Sequence, residues 1–426
     1  MRLSTKHCFI PVTALLSIAI VAATLALILI RPRGISEAWV AAGGAAAMVL
    51  LGPMRLGDVP DVIRETADVL FFLAGMMVLT VLVEQAGVFE VLAEWCARIA
   101  GGSGIALFCL VFLLGALVTA LLSLDVTVIV LTPIVYAVTL RRGLNALPFM
   151  FACTFVANTA SLVFPISNLT NLLVYHELAI GFPTFAAHMW LPNLAAVVTN
   201  LLVFLWLFRA QLPRRFETET LAPLPAVDWW LLAAATVLAA TLVGLFALGL
   251  THRPLAWAAL GGAAILFAIG TAGHRIAPRS LGREVAWPVL VFVVGMLLVV
   301  RGLERGWLDG ASFRVPANPT AALLSGVVAT TIGSNVVNNV PMTLLAIPVI
   351  ERTAGPARDA LAYGVLVGAN IGPTLTTYGS LATMLWLAIV RRRGLDVSTR
   401  DYLRVGLLGT PPVLVAATAA LWLVLR

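Results

Sequence analysis

Fourteen apolar segments follow one another along the chain, at about 10–30, 37–54, 67–87, 104–123, 126–140, 147–175, 187–208, 228–250, 254–272, 286–303, 318–333, 340–351, 359–390 and 404–425. Within each, apolar residues run continuously instead of alternating. The pattern predicts membrane-spanning α-helices and argues against a β-barrel, whose strands alternate apolar and polar positions. A polar stretch, 209–227, contains QLPRRFETET and separates two halves, 1–208 and 228–426. It is expected to be a solvated cytoplasmic linker between two transmembrane repeats. Residues 9–30 are too long for the apolar core of a secretion signal and lack a clear small-residue cleavage site. They are read as a helix of the mature protein.

Inside the apolar pattern, polar residues recur. Residues 157–173, ANTASLVFPISNLTNLL, return without a gap as residues 369–385, ANIGPTLTTYGSLATML. Ala157, Asn158, Leu169 and Leu173 find Ala369, Asn370, Leu381 and Leu385; Asn168 falls opposite Ser380, and Asn171 opposite Thr383. Pro165 and Pro373 each remove a helix donor, and Gly372 and Gly379 loosen the second copy. Backbone freed at membrane depth survives only when it is buried in protein or lines a polar cavity. Paired broken helices in the two halves of a membrane protein point to a transporter's central site. The candidate solute-binding groups are Asn158, Asn168, Thr170 and Asn171 in the first copy, and Asn370, Thr374, Thr377, Ser380 and Thr383 in the second. The bland alternative is a proline kink with hydroxyls and amides joining helices.

Two further pairings keep the same order. VLFFLAGMMVLTVLVE at 69–84 resembles VLVFVVGMLLVVRGLE at 289–304, ending on Glu84 and Glu304. TALLSLDVTVIVLTP at 119–133 matches GSNVVNNVPMTLLAIP at 333–348 more weakly, if Asp125 aligns with Asn339. Each of the latter two segments is broken at its centre by polar residues. If each is a re-entrant hairpin, each half has five spans. The halves are then inverted in the membrane, and the fold is an all-α polytopic protein of two inverted repeats, each with a hairpin and an unwound helix. On this ten-span model sixteen of the 27 basic residues lie on the linker's side, which the positive-inside rule makes cytoplasmic. The basic N-terminus MRLSTK argues the other way, toward twelve spans with both termini inside.

Composition narrows the function. The chain has 426 residues, 61% hydrophobic and only 11% charged, with a mean hydropathy of +1.02. The net charge of +7 rests almost wholly on Arg, with Lys6 the one Lys. In a membrane protein this reads as loop charge that sets orientation, not as a nucleic-acid surface. Cys8, Cys96, Cys109 and Cys153 have neither CxxC nor metal spacing. No cofactor or metal is implied.

Asp125 lies in LLSLDVTVIVL with no charged neighbour. A carboxylate at mid-membrane costs roughly 2.5–3.5 kcal/mol on insertion scales and usually marks an ion or proton pathway. Burial favours its neutral form, which suits a proton carrier. Its counterparts in the second half are amides, Asn338 and Asn339, with Asn335 nearby; these coordinate but do not titrate. Glu84 and Glu304 read as interfacial carboxylates, and Arg358 and Asp359 as helix-start residues.

At these residues the chain resembles the arsenite efflux permeases, the ArsB family within the ion-transporter superfamily. The resemblance is carried by PISNLTNLL at 165–173, the acidic hairpin with TP at 132–133, IGSNVVNNVPM at 332–342 and GANIGPTLTTYGSLATMLW at 368–386. It implies export of arsenite and antimonite as neutral trihydroxides, driven by protons, or by an ATPase partner where one is present. It also implies the inner membrane. The family often has an Asn before the hairpin acid and a small residue after it; here Leu124 and Val126 stand there. The residues agree with the resemblance: the broken segments offer hydroxyls and amides but no Arg or Lys, which a carboxylate or phosphate would want. A sodium/proton antiporter built on Asp125, or an organic-anion carrier held by helix N-termini, remains open. A passive channel would not need duplicated midplane motifs. No HExxH, nucleophile elbow, Walker loop or Cys/His cluster indicates an enzyme.

Overall fold

The structure is a computed structural model. It describes residues 12–30, 35–178, 181–216, 227–307 and 315–426, with side chains except at 177–178 and 278–280. Lys6, Cys8 and the basic N-terminus lie outside the described residues, as does 217–226 of the predicted linker. All regular structure among the described residues is helical.

The helices follow the apolar pattern closely. First come α1 (Val12–Ile30), α2 (Glu37–Leu50), α3 (Val59–Glu65), α4 (Ala67–Gln85), α5 (Val88–Ile99) and α6 (Gly104–Leu121). A turn then leads to α7 (Leu124–Val126), a π-helical turn (Thr127–Leu131) and α8 (Thr132–Arg141). Next are α9 (Ala146–Thr159), α10 (Leu169–Leu178), α11 (Phe182–Phe208), α12 (Trp229–Leu250), α13 (Ala256–Ala272), α14 (Pro278–Glu284) and α15 (Pro288–Gly306). The chain ends with α16 (Pro319–Val337), α17 (Asn339–Glu351), α18 (Pro356–Ile371), α19 (Leu381–Arg392) and α20 (Thr399–Val424). Eight helical stretches among the described residues are long and apolar enough to cross a membrane: α1, α4, α6, Leu124–Arg141, α11, α12, α16 and α20. The protein is a multi-pass membrane protein.

Two compact units emerge, each drawing on both sequence halves. One comprises Met1–Ala67 and Trp287–Arg314, the other Asp68–Ala286 and Val315–Arg426. In the smaller unit α15 lies on α2 and α1. A Cβ at Gly295 would stand 2.7 Å from the Ala41 backbone carbon, so the two helices meet backbone to backbone. Arg301 bonds Glu65 at 2.8 Å and reaches Glu304 at 3.3 Å. Glu304 is therefore an ion-paired carboxylate at a helix end. Its repeat counterpart Glu84, in the larger unit, instead has the acidic neighbours Glu90 and Glu284, so the two glutamates do not share a chemistry.

The larger unit holds both hairpins and both broken helices. The amphipathic α5 is missing from the apolar pattern. Its buried Glu94 accepts from Arg142 at 2.7 Å and from Arg141, fastening α5 to the end of α8. Arg142 is 1% exposed at its side chain; it is a buried ion-pair partner as well as a loop charge. Asp359 falls in the first turn of α18, but Gly355, at φ 66°, is the N-cap and Asp359 makes no capping bond. Cys96, Cys109 and Cys153 are free thiols, with Cys153 buried.

Candidate functional site

Both repeated segments unwind where the prolines stand. α9 stops at Thr159, a 3-10 turn spans Pro165–Ser167, and α10 resumes at Leu169. α18 stops at Ile371, a 3-10 turn spans Gly372–Leu375, and α19 resumes at Leu381. Part of the repeat is helix-start chemistry. The Asn168 Oδ1 accepts from the Thr170 N–H at 3.2 Å, and the Ser380 Oγ from the Thr383 N–H at 3.1 Å. These aligned residues each tie down an orphan donor of the resuming helix. Packing is reciprocal: α10 lies on α17 and α18, while α19 lies on α9 and on the stretch from the π turn into α8.

Three of the predicted residues of the first break, Asn168, Thr170 and Asn171, together with Ser161, meet one from the second. The Asn370 Oδ1 accepts from Ser161 Oγ at 2.7 Å and from Asn168 Nδ2 at 2.5 Å. Its Nδ2 donates to Asn171 Oδ1 at 2.9 Å, to the Leu366 carbonyl at 2.8 Å and, more weakly, toward Thr170 Oγ1 at 3.4 Å. The Asn171 Nδ2 in turn donates to the carbonyls of Ser161 and Phe164. All of these residues except the half-buried Phe164 are buried, and the Asn370 amide is saturated.

Asn158, the repeat counterpart of Asn370, is not. Its Nδ2 donates to the Thr154 carbonyl at 2.9 Å, one turn back, but its buried Oδ1 has no partner. The residues opposite Asn168 and Asn171 in the repeat are the shorter Ser380 and Thr383, whose hydroxyls pair with each other at 2.9 Å. Thr374 bonds the Ile371 carbonyl and Thr410 of α20. Thr377 is buried in the same unwound stretch.

The second hairpin turns at Asn338 and is tied to the second break. The Asn339 N–H donates to the Gly379 carbonyl at 2.9 Å, and Asn338 Nδ2 to the Tyr378 carbonyl at 3.2 Å. Asn335 donates to the Thr331 and Gly372 carbonyls and accepts from Thr376. A Cβ at Gly379 would stand 2.4 Å from the Pro373 carbonyl oxygen, so this approach requires glycine. Asn338 itself has φ 77° and ψ 155°, a region almost reserved for glycine and costing about 1–3 kcal/mol. Its Oδ1, that of Asn339 and the Ser334 hydroxyl are buried without partners. Strain at a hairpin tip, beside unpaired amide oxygens, marks a residue kept for its side chain. Asn338→Gly is expected to hold or raise the unfolding temperature of the detergent-solubilised protein while lowering transport. Wild-type transport by this variant would show that the amide is only a backbone device.

Asp125 sits at the start of the helical stretch that follows the first hairpin's tip. Ser123 caps it, accepting from the Val126 N–H at 3.4 Å. The Asp125 side chain is half-buried, and no hydrogen bond or ion pair engages it among the described residues. The π turn follows directly. Pro133 has no N–H to offer the carbonyl four residues back, and Thr132 Oγ1 bonds the Thr127 carbonyl at 3.2 Å. Such bulges concentrate at functional sites.

Three polar residues of α11 went unnoticed in the sequence because nothing repeats them. Asn200 Nδ2 donates to Thr159 Oγ1 at 2.8 Å, and Asn193 Oδ1 accepts from the Leu162 N–H at 3.1 Å, so both brace the first break. His188 Nδ1 meets the Tyr363 hydroxyl at 3.0 Å, on the helix leading to the second break. Pro192, breaking the α11 ladder between them, was the available signal.

The sequence pattern of the arsenical pump membrane protein (ArsB) family matches residues 16–425. An arsenical pump membrane protein of Escherichia coli K12 is 33% identical over 425 residues, covering 96% of this chain and 98% of its own. One from Yersinia enterocolitica is 33% identical over 420 residues with the same coverage. An uncharacterised transporter of Mycobacterium tuberculosis is 27% identical over 426 residues, covering 93% and 96%. Among solved structures, the YdaH transporter of Alcanivorax borkumensis, described as having an unusual topology, superposes with a TM-score of 0.55 at 15% identity, covering 97% of this chain and 98% of its own. At that identity the likeness concerns the fold alone.

Proposed function

The chain belongs to the arsenical pump membrane protein family, and from that premise we propose that it exports arsenite and antimonite as neutral trihydroxides in exchange for protons, by alternating access. It is a membrane transporter, in bacteria of the inner membrane. The observation that carries the proposal is the chemistry of the breaks and hairpin tips. The polar side chains that meet there are amides and hydroxyls, with the Met384 sulfur 3.8 Å from the Asn338 amide, and Asp125 has no ion-pair partner among the described residues. A neutral polyhydroxy solute is matched by amides and hydroxyls. An anion held there would lack the charged, bidentate partners that favour it.

Exchange of a proton for a neutral solute also moves charge, so a membrane potential adds about 2.3 kcal/mol per 100 mV to the pH gradient. Hairpins as re-entrant elements, and halves of inverted topology, supply the two-sided access this cycle needs. The chain has no nucleotide-binding motif, so any ATP drive comes from a separate subunit. The test is proton flux in proteoliposomes driven by antimonite or arsenite, with sodium chloride as the control. Flux with the trihydroxides alone is expected. Flux with sodium alone moves the protein to a cation antiporter, for which the unpaired Oδ1 atoms of Asn338 and Asn339 supply oxygen ligands.

A further inference from the structure

We propose that the transported trihydroxide docks at the face of α9 that carries Asn158 together with Thr154, which the repeat did not single out, closed by Trp386 of α19 and Tyr402 of α20. This rests on the transport reading above. The argument begins with the asymmetry of the two breaks. At Asn370 the partners Asn168 and Asn171 are long enough to satisfy the amide fully. At Asn158 the corresponding residues are Ser380 and Thr383, which bond each other and leave the Asn158 Oδ1 open. Reciprocal packing brings α19 onto α9 as it brings α10 onto α18, so truncation from Asn to Ser and Thr leaves polar capacity unused on one side only.

The unused capacity is clustered. Phe151, Thr154, Phe155 and Asn158 fall at i, i+3, i+4 and i+7 and share one face of α9. Phe151 lies 5.4 Å from the Trp386 ring and 5.9 Å from that of Tyr402; Phe155 lies 5.7 Å from Tyr402, and Trp386 5.8 Å from Tyr402. The Tyr402 hydroxyl stands beside the side chains of Thr154 and Thr383. Beside these rings the Trp386 Nε1 has no partner, and neither has the Asn158 Oδ1 one turn along α9 from Thr154; the Thr154 Oγ1 and the Tyr402 hydroxyl stand near each other without a hydrogen bond of ordinary geometry, and all four residues are fully buried.

A buried polar atom without a partner costs about 1–3 kcal/mol, so the unused capacity on this face of α9 and the rings beside it calls for a physical reason. The four groups comprise one pure acceptor, one pure donor and two hydroxyls that do both. That set fits a small neutral molecule bearing several hydroxyls. It carries no charge to compensate an ion in so dry a setting.

The test uses Tyr402→Phe, Trp386→Phe and Thr154→Val in the full-length protein, with antimonite as probe. Tyr402→Phe and Thr154→Val keep the packing and delete the polar atom, so their unliganded unfolding temperatures are expected at or above wild type; Trp386→Phe also shrinks a fully buried ring and is expected to melt lower, so its affinity is read at a temperature where it is folded. Each is expected to raise the dissociation constant for antimonite by about tenfold, the worth of one hydrogen bond. Wild-type affinity in all three overturns this site while leaving the transport reading intact. Absence of any response of the unmodified protein to antimonite or arsenite overturns the transport reading, and this ligand with it.

Discussion

Asn370→Ala is expected to lower the stability of the detergent-solubilised protein by about 2–4 kcal/mol, read as a fall in unfolding temperature. The reason is the number of groups one amide serves. Its removal strands Asn168 Nδ2 and Asn171 Oδ1 and leaves Ser161 Oγ only the Asn158 carbonyl, all of them buried, at the crossing of two unwound segments. Hydrogen bonds between membrane helices are individually modest, about 0.6 kcal/mol on average in measured cycles, so the loss comes mainly from leaving several partners unpaired at once. Asn158→Ala removes only a bond to its own helix, to the Thr154 carbonyl, and is expected to change stability little. Two residues that are equivalent in the repeat should thus differ sharply in the same melt. Equal melting temperatures would mean that the Asn370 network does not hold the breaks together.

That contrast shows how far the residues alone could be read. Helices, breaks and hairpin tips were legible because they follow from local rules: apolar runs of spanning length, prolines without donors, and cap residues at fixed positions. Pro165 and Pro373 announce the unwinding, whereas Asn168 and Ser380, expected as solute-binding groups, also cap the helices that resume after them. What the repeat could not carry is the difference between its copies. Asn158 and Asn370 look alike in the alignment, yet Asn370 meets Asn168 and Asn171 while Asn158 bonds only the Thr154 carbonyl of its own helix. The α11 braces Asn193 and Asn200 escaped for the opposite reason, since they occur once and act across the fold. The π turn at Thr127–Leu131 was signalled by Pro133 but needed the Thr132 bond to be seen. Trp386 closes the motif at 368–386, but only the fold shows that it is buried against Tyr402 with its Nε1 unpaired.

Asp125→Asn is expected to abolish trihydroxide-driven proton flux, bringing it to the level of protein-free liposomes, while antimonite binding persists. The carboxylate has no ion-pair partner to lose among the described residues, and Asn matches it in size. The Ser123 cap and the Thr119–Thr127 hydroxyl pair at 2.7 Å do not involve it, so the hairpin should fold unchanged. What the substitution removes is the carboxylate of this hairpin, the group that can take up and release a proton there. In an obligatory exchanger the solute cannot return the carrier without the coupling ion, so binding and flux separate: the first survives and the second stops. Asp125→Glu restores the titrating group one methylene further out and should recover part of the flux with an altered pH profile. Asp125→Asn protein that still acidifies or alkalinises the lumen in response to antimonite would place proton coupling elsewhere. His188, hydrogen-bonded to Tyr363 at 3.0 Å on the helix that leads into the second break, would then be the next residue to replace.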